Sequence, residues 1–287
     1  MGDDAAVVRP GPGLALLTTD MSVAGVHADL ALVELDDLGW RAVAVSLSDI
    51  AAMGGTAARL VVAAAGPPLT DMDRLLAGVA EAAASHRCPI VGGDLSGGGE
   101  VTVVVSVLGR VDEEPGPVLR GGARAGDHLF VTAPLGAGAA GLRTLRETAA
   151  GGDGLPSSAA RAVAEAYRRP RARLGEGVAA RRAGATAMID VSDGLAADLG
   201  HLASESGVGF RLHHVPVAPG ATREEALGGG DDYELVFAAP DADRVASTFV
   251  DEGLAPPIPI GVCTADGGER RYRDEVLEAR GWEHRWD

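Results

Sequence analysis

Short acidic clusters flanked by glycine, serine or threonine interrupt an otherwise apolar chain, and they are the residues best suited to chemistry. Five recur along the sequence: Gly2-Asp3-Asp4, Thr18-Thr19-Asp20, Ser48-Asp49, Gly92-Gly93-Asp94 and Asp190-Val191-Ser192-Asp193-Gly194. Two carboxylates about 4 Å apart repel each other by roughly 4 kcal/mol at an effective dielectric constant near 20. A convergent set needs cations between its members, so the pattern predicts a Mg²⁺ cage for a polyphosphate.

The basic residues restrict how this chain can hold a phosphate group. All 25 of them are arginine, and the 287 residues carry a formal net charge of -16. The absence of lysine excludes a P-loop lysine, a Schiff base and a kinase-type ATP lysine. The acidic balance argues against nucleic acid as a partner. Phosphate groups must therefore be bound by arginine, backbone N–H groups or metal.

Cysteine usage and the hydrophobic profile indicate the compartment. Cys88 and Cys263 are isolated in the sequence and fit no metal-ligand or redox spacing, which suits a reducing cytosol. The N-terminus lacks a basic segment followed by an apolar one, and no apolar run reaches the ~18 residues of a membrane span. We expect a cytoplasmic protein with no membrane partner.

The first part of the chain alternates strands with helices. Hydrophobic periodicity predicts strands over residues 14–19, 59–65 and 101–111 and helices over 36–53 and 71–85. The stretch from Asp112 to Pro117 combines charge, proline and glycine, and is the best linker candidate. We expect an N-terminal domain of residues 1–115 and a C-terminal domain of residues 116–287.

The second part is predicted to mix helices with strands. Strands are expected over residues 128–132, 185–191 and 233–238, and helices over 139–149 and 193–206, with helical segments around 159–182. Residues 92–99 of the first part read as a glycine-rich loop whose backbone can approach phosphates, although glycine-rich loops without function are commoner.

The sequence Gly136-Ala137-Gly138-Ala139-Ala140-Gly141 matches the dinucleotide fingerprint between a predicted strand and a predicted helix. The fingerprint also requires a second parallel strand ending in an acidic residue about 20 positions later, where this chain has a loop. A helix start packed closely against a sheet is the favoured interpretation, and NAD binding stays a minor alternative.

Two acidic positions are open to two interpretations each. Asp49 shares a helical stripe with Ala42, Val45 and Ala52, so it points at the buried face, yet it also lies close enough to the helix end to reach solvent. Asp190 and Asp193 flank a strand-to-helix junction that suits an anion or a metal-bound phosphate, although aspartate is also a preferred helix cap.

Six motifs follow one another over nearly the whole chain. They are Gly2-Asp3-Asp4-Ala5-Ala6, Thr18-Thr19-Asp20-Met21 with Gly25-Val26-His27, residues 45–54, Gly92-Gly93-Asp94, residues 189–195 with Asp198-Leu199-Gly200-His201, and residues 229–235. Together they resemble the thiamine-monophosphate kinase family. The resemblance implies the two-domain, PurM-like fold of the aminoimidazole ribonucleotide synthetase superfamily. This fold has an α/β N-terminal domain, whose sheet a dimer partner completes, and an α+β C-terminal domain, with ATP and Mg²⁺ between the two.

The resemblance also implies roles for individual residues. It gives as magnesium ligands Asp4, Thr18, Thr19, Asp20, Asp49, Asp94, Asp190 and Asp193, of which Asp20, Asp49 and Asp190 are the expected catalytic set. It gives as ATP contacts Gly93, Asp94, Arg120 and Ser192, and as contacts of thiamine monophosphate His27, Asp231 and Trp282.

The chain departs from the family pattern in three places. Relatives are expected to carry a further segment ahead of Gly2-Asp3-Asp4. Asp231 stands where the family has glutamate, and Arg285, followed by Trp286, stands where an aromatic residue is usual.

The expected reaction is transfer of the ATP γ-phosphoryl group to thiamine monophosphate, giving thiamine diphosphate and ADP. A phosphate monoester has a second pKa near 6, so at neutral pH it is already a nucleophilic dianion. The enzyme then needs in-line positioning and charge cancellation rather than a general base. The alternatives are another ATP-dependent enzyme of the superfamily, or a Mg-nucleotide-binding protein without turnover.

Overall fold

Two β-sheets with helices packed on them organise the computed structural model, which describes residues 6–8, 13–151, 154–155, 157–278 and 281. The strands are β1 (Ala6–Val8), β2 (Leu14–Val23), β3 (Thr56–Gly66), β4 (Ile90–Gly97), β5 (Thr102–Val111), β6 (His128–Val131), β7 (Ala187–Asp190), β8 (Gly209–Leu212), β9 (Leu235–Ala239), β10 (Ile258–Thr264), β11 (Arg270–Tyr272) and β12 (Glu275–Val276). The helices are α1 (Leu35–Ala52), α2 (Met72–Ser85), α3 (Ala137–Ala149), α4 (Ser158–Arg168), α5 (Leu174–Ala183), α6 (Leu195–Ser206), α7 (Arg223–Gly228) and α8 (Ala242–Asp251). None of these helices is both long and apolar enough to span a lipid bilayer.

The first sheet has the strand order β1-β2-β5-β3-β4, in which only β3 and β4 are parallel neighbours. Because alternate side chains of a strand point to opposite faces, Val103, Val105 and Val107 all face the same side. They are fully buried there in one core with Leu47 and Ile50 of α1. This β-branched strand therefore forms the centre of the N-terminal core.

The other face of the first sheet is apolar and open in the described part of the chain. Leu17, Met21 and Val61 lie on it with 47%, 55% and 42% of their surface exposed. An exposed apolar sheet face is typical of a surface that another molecule covers.

The glycine-rich segment after Val91 is a strand, so the prediction of a loop over residues 92–99 was wrong. β4 pairs with β3 in parallel register from Val61–Gly92 to Gly66–Gly97. A Cβ atom on Gly93 would lie 2.2 Å from the carbonyl oxygen of Val62, so this pairing requires glycine. The absence of a side chain allows the two backbones to approach each other.

Helices α1 and α2 cross at a pair of glycines. A Cβ atom on Gly39 would lie 2.2 Å from the carbonyl oxygen of Leu75, and one on Gly78 would lie 1.9 Å from that of Asp36. The two backbones are therefore in direct contact at the crossing. This contact fixes the position of α1, which carries Asp49.

The second sheet has the order β12-β11-β8-β10-β6-β9-β7, and its strands β6, β9 and β7 are buried on both faces. One face packs on α6 through Leu195, Leu199 and Leu202. The other packs on α5 and α8, where Phe237 stacks on Phe130 and Phe249 with ring centroids 5.2 and 6.1 Å apart. An α/β domain followed by an α+β domain was expected, and this architecture confirms it.

Most predicted elements of the first part are present, with boundaries moved by a few residues. The helix predicted over residues 36–53 is α1, and the strand predicted over 101–111 is β5. The strand predicted over 14–19 continues to Val23, and the helical region 159–182 is divided between α4 and α5. In the C-terminal tail, where only residues 233–238 were predicted as a strand, the structure adds β8, β10 and two further short strands.

The glycine crossing of α1 and α2 leads to a stability prediction. We expect Gly78→Ala to lower the free energy of unfolding by about 1–3 kcal/mol, because its methyl group has no room. The control is Gly200→Ala in α6, where no atom lies within 4 Å of the added Cβ. That substitution should stabilise the protein by up to about 1 kcal/mol through helix propensity. Urea denaturation measures both, and equal effects would contradict the crossing.

Candidate functional site

Helix α1 is the element that brings the two domains together. Ser48 donates a hydrogen bond to Oδ2 of Asp190, at the end of β7, with an Oγ–Oδ2 distance of 2.6 Å. Seven residues earlier, Arg41 donates a hydrogen bond to Oδ1 of Asp231 at 2.8 Å. Residues seven apart share a helix face and lie about 10 Å apart along the axis. One stripe of α1 therefore contacts two acidic segments of the C-terminal domain.

The predicted metal residues of β2 lie against the same helix. Thr18 is buried and its hydroxyl donates a short hydrogen bond to Oδ2 of Asp49. Asp20 follows two positions later, on the same face of β2 and about 7 Å along the strand. Asp49 is half-buried, and the adjacent Ser48 is hydrogen-bonded to Asp190. The C-terminal end of α1, the middle of β2 and the end of β7 thus meet here.

Thr19 lies on the other face of β2. Its hydroxyl accepts a hydrogen bond from Ser106 Oγ at 2.9 Å, on the open side of the sheet. This alternation follows from the strand period of two. The predicted metal-binding role of Thr19 therefore has no support from its side-chain position.

Asp94 is also separate from the other acidic residues. Asp20 pairs with Val105 on the helix-covered face, whereas Asp94 pairs with the exposed Ala63 on the open face. Residues that pair directly share a face, and three strand spacings are about 14 Å. The structure does not bring Asp94 next to Asp20, because β4 is the edge strand of the sheet. Gly93, on the same strand, is exposed as well.

The turn between β7 and α6 gathers three carboxylates. Asp198 is 2% exposed and accepts hydrogen bonds from the backbone N–H groups of Asp193 and Gly194, both at 3.0 Å. Burial raises the pKa of Asp198 to about 8, and repulsion by Asp190 and Asp193 contributes to the rise. The turn therefore concentrates negative charge at the start of a helix.

The predicted nucleotide and substrate residues occupy several places. The carbonyl oxygen of Ser192 accepts the N–H of Asp231 at 2.8 Å, which joins the turn between β7 and α6 to the segment holding Asp231. Nδ1 of the half-buried His27 accepts the N–H of Val23 at 3.0 Å, so the hydrogen of the neutral ring is on Nε2. The carbonyl oxygen of Arg120 accepts a hydrogen bond from Ser206 at 3.1 Å.

Asp4 and Trp282, a predicted metal ligand and a predicted substrate contact, lie outside the described residues. Within the described ranges, no group of three or more histidine, cysteine or acidic side chains is arranged to hold a metal ion.

The glycine-rich motif at the start of α3 binds an anion that belongs to the protein itself. Asp232 accepts the N–H of Gly136 at 2.6 Å and that of Gly138 at 2.9 Å. These donors are the ones that a dinucleotide pyrophosphate would need at a helix N-terminus. The site is filled by an internal carboxylate, which leaves the NAD alternative without a binding position.

Neither cysteine is suited to nucleophilic chemistry. Cys88 and Cys263 are both buried, and burial raises the pKa of Cys88 to about 11 and that of Cys263 to about 12. A thiol with so high a pKa is almost entirely protonated at neutral pH. This removes support for an alternative enzyme that would use a cysteine to activate an amide or a selenide.

Three polar residues of the site were not identified from the sequence: Arg41, Asp198 and Asp232. Arg41 stands among apolar residues of α1. A charged residue in such a stretch could have indicated a buried ion pair. Asp198 was quoted only as part of a motif. Asp232 was likewise quoted only within the motif of residues 229–235, and nothing indicated its partner, which is the backbone of a helix nearly 100 residues away.

Comparison with known proteins gives two adjoining family matches. Residues 2–111 match the N-terminal domain of AIR synthase related proteins, and residues 124–274 match the C-terminal domain of the same proteins. Among curated proteins, the chain is 36% identical to a thiamine-monophosphate kinase of Mycobacterium tuberculosis, covering 98% of this chain and 84% of the relative. It is 35% identical to that of Halobacterium salinarum, covering 99% and 94%.

Two solved structures are also similar to this chain over nearly its whole length. A structure of AaThiL complexed with AMPPCP and TMP has a TM-score of 0.86 at 30% identity, covering 99% of this chain and 91% of the other. Thiamine monophosphate kinase from Aquifex aeolicus has a TM-score of 0.79 at 28% identity, covering 98% and 93%.

The buried Asp232 leads to a pH-dependent prediction. Burial raises the pKa of Asp232 to about 7, well above the ordinary value of an aspartate, although the N–H groups of Gly136 and Gly138 lower it. The stability that Asp232 contributes is therefore fully present below about pH 4 and is lost as the pH rises through about 7. Asp232→Asn places an amide N–H₂ against a backbone N–H, which should cost about 1–3 kcal/mol at pH 5.

This difference between wild type and variant should shrink at pH 8, as measured by chemical denaturation at both values. A difference that grows with pH would contradict the assignment. Asp71→Asn is the control, because Asp71 caps α2 with an exposed carboxylate and asparagine is an equally good cap.

Proposed function

The chain belongs to the thiamine-monophosphate kinase family of AIR synthase related proteins, and we propose which of its residues act in the ATP-dependent phosphorylation of thiamine monophosphate. Its activity is that of a thiamine-phosphate kinase, with ATP as the co-substrate. The family identity was predicted from six motifs, and the comparisons confirm it.

The observation that carries the residue assignment is the junction of α1, β2 and β7. Thr18 binds Asp49, and the adjacent Ser48 binds Asp190 across the two domains. Carboxylates from distant parts of the sequence are thereby held at one place by hydroxyl groups. We infer that Asp20, Asp49 and Asp190 form the catalytic set at this junction.

The donors at this junction suit Mg²⁺. Hard oxygen ligands predominate. Burial raises the pKa of Asp198, and repulsion from Asp190 and Asp193, which a cation would relieve, contributes to the rise. We propose that Thr18, Asp20, Asp49, Asp190 and Asp193 hold the metal, with Asp4, Thr19 and Asp94 as further candidates. When bound, Mg²⁺ supplies charge cancellation between the two phosphate groups.

The reaction requires little from the protein besides position. A phosphate oxygen of thiamine monophosphate attacks the γ-phosphorus of ATP, the new P–O bond forms, and the bond to the β-phosphate oxygen breaks to release ADP. The acceptor is a dianion at neutral pH, so no side chain has to remove a proton. We propose that Ser192, Gly93, Asp94 and Arg120 orient ATP, and that transfer is direct and in line.

His27, Asp231 and Trp282 are the proposed contacts of thiamine monophosphate. The contact of Asp231 with Arg41, and of its N–H with Ser192, supports a substrate site beside the turn between β7 and α6, which carries the proposed ATP contact Ser192. In the AaThiL complex the ligands were AMPPCP and TMP, an ATP analogue with the substrate, which agrees with adjoining sites.

Three further features are proposals. The open apolar face of the first sheet supports a homodimer in which a second copy covers it. A domain boundary near residue 115 is supported by family matches that end at residue 111 and resume at residue 124. A reducing, cytoplasmic location is supported by two buried free cysteines.

A binding protein without turnover is the competing proposal from another class. Isothermal titration with Mg-ATP and thiamine monophosphate, run beside a coupled ADP-release assay, separates the two. Binding of both ligands without ADP release would support the binder. ADP release with thiamine monophosphate but not with thiamine, and only with Mg²⁺, supports the kinase.

Asp49→Asn tests the catalytic junction. The amide can still accept the hydrogen bond of Thr18 but lacks the charge that binds a cation. We expect an unchanged melting temperature and a fall in kcat on the order of a hundredfold or more. The control is Asp251→Asn, which neutralises an exposed carboxylate at the end of α8. Full activity of Asp49→Asn would remove the metal-cage mechanism.

Val61→Glu tests the proposed dimer. A charge in the middle of the open face should prevent association, because it would be buried without a partner. Sedimentation velocity should show a dimer for wild type and a monomer for the variant. Val250→Glu on α8, where Val250 is 58% exposed, should remain a dimer. A wild-type monomer at micromolar concentration would contradict the proposal.

A further inference from the structure

Arg41 is a buried cation whose partners come from the C-terminal domain. It is 3% exposed, and its guanidinium donates to Oδ1 of Asp231 at 2.8 Å and to the carbonyl oxygen of Tyr167. The guanidinium carbon also lies 4.4 Å from the centre of the Tyr167 ring. Burial alone lowers the pKa of Arg41, but the charge of Asp231 raises it and the balance lies above the ordinary value. Arg41 is thus a permanent charge beside Asp231.

Asp231 is held by one of its two carboxylate oxygens. Tyr233 donates its hydroxyl to the same Oδ1 at 2.9 Å, so both donors converge on one atom. Among the described residues Oδ2 has no hydrogen-bond partner, and the side chain is 31% exposed. The carboxylate therefore keeps one acceptor atom that no described residue uses.

The backbone around Asp231 is fixed as firmly as its side chain. Asp231 and Tyr233 have φ angles of 66° and 52°, a region that side-chain-bearing residues seldom adopt. Their N–H groups donate to the carbonyl oxygens of Ser192 and Val191 at 2.8 and 2.9 Å. Strained backbone that neighbouring contacts hold in place is characteristic of ligand sites.

The pairing changes what Asp231 can recognise. An unpaired aspartate attracts a cation, whereas an aspartate hydrogen-bonded to a buried guanidinium has most of its charge cancelled and remains a directional acceptor. Thiamine monophosphate offers both kinds of target: a positively charged thiazolium ring and an aminopyrimidine with an N–H donor. The two targets predict different responses to substrate analogues.

We propose that Arg41 is a positioning residue that cancels the charge of Asp231 and aims its Oδ2 at the amino group of the aminopyrimidine, not at the thiazolium. This inference rests on the proposed role of Asp231 as a contact of thiamine monophosphate. The substrate is then recognised at this point by hydrogen bonding. The shorter side chain of aspartate is accommodated by fixing it from Oδ1.

Two analogues separate the targets. Oxythiamine monophosphate has an oxygen in place of the amino group, and deazathiamine monophosphate has an uncharged central ring. Affinities of the full-length protein are measured by isothermal titration calorimetry with Mg-AMPPCP present. Asp231→Asn should weaken binding of thiamine monophosphate and of the neutral-ring analogue alike, by about tenfold or more. It should not weaken binding of the oxygen-bearing analogue, because the asparagine amide can donate to that oxygen.

The opposite pattern overturns the proposal. If Asp231→Asn does not weaken binding of the neutral-ring analogue but still weakens binding of the oxygen-bearing one, Asp231 recognises the charge of the thiazolium ring. An equal penalty for all three ligands also overturns it. Absence of thiamine monophosphate turnover by the wild type would count against the proposed function, while the binding pattern still decides this inference.

Asp231→Asn leaves Arg41 without its counter-charge and can destabilise the fold. Tyr233→Phe is therefore a second variant, because it keeps the ion pair and removes one donor from Oδ1. Tyr233→Phe should change the affinities for the three ligands in the same directions as Asp231→Asn, but by smaller factors. Tyr272→Phe, a buried tyrosine in β11, is the matched control and should bind all three ligands as the wild type does.

The role of Arg41 is tested by the ratio of the affinities for thiamine monophosphate and for the neutral-ring analogue. Arg41→Gln uncovers the charge of Asp231, so the preference for the cationic substrate over the neutral-ring analogue should increase relative to wild type. Arg41→Lys keeps a cation at this position and should restore the wild-type ratio. The same ratio in all three proteins, at unchanged melting temperature, would show that Arg41 is only structural.

Discussion

A hydrogen bond between the two domains, from Ser48 to the carboxylate of Asp190, is the interaction on which the site depends. Asp190 is only 5% exposed, and a buried carboxylate without a donor is unstable by several kcal/mol. The 2.6 Å contact satisfies one oxygen and at the same time fixes α1 against the end of β7. Because Asp49 is the next residue of α1, this one contact also determines where the acidic ends of the two domains meet.

Helix α1 can perform this task because its two long sides have different surroundings. One side is packed on the valines of β5 and on α2, with the glycine crossing as the closest approach. The other carries Arg41 and Ser48 to the C-terminal domain. A shift of the helix along its axis would disturb both polar contacts together. Asp231, the proposed substrate contact, and the proposed catalytic carboxylates are thus contacted by a single rigid element, which suits a reaction that relies mainly on position.

The parts of this arrangement that local sequence determines were predictable. Alternating valines specified β5, an acidic start and a glycine end specified α1, and the strand-to-helix junction at Asp190 was visible from hydrophobic pattern and cap residues. The rest depends on contacts between distant segments. β4 has a glycine-rich sequence with low strand propensity and forms only because β3 offers a parallel edge to its backbone. Likewise, nothing near Asp232 indicates that it would fill the anion site of α3.

The exclusive use of arginine has a consequence for how the domains stay together. Arg41 binds Asp231, and Arg181 links Asp112 to the carbonyl oxygen of Gly54, so guanidinium groups supply the cationic side of these contacts. A guanidinium keeps its proton far above the pH at which a lysine ammonium loses it. Raising the pH into the alkaline range therefore does not remove the positive charge from these contacts. The basic side of these contacts between the two halves is therefore insensitive to alkali, whereas acid weakens them, because their carboxylates take up protons.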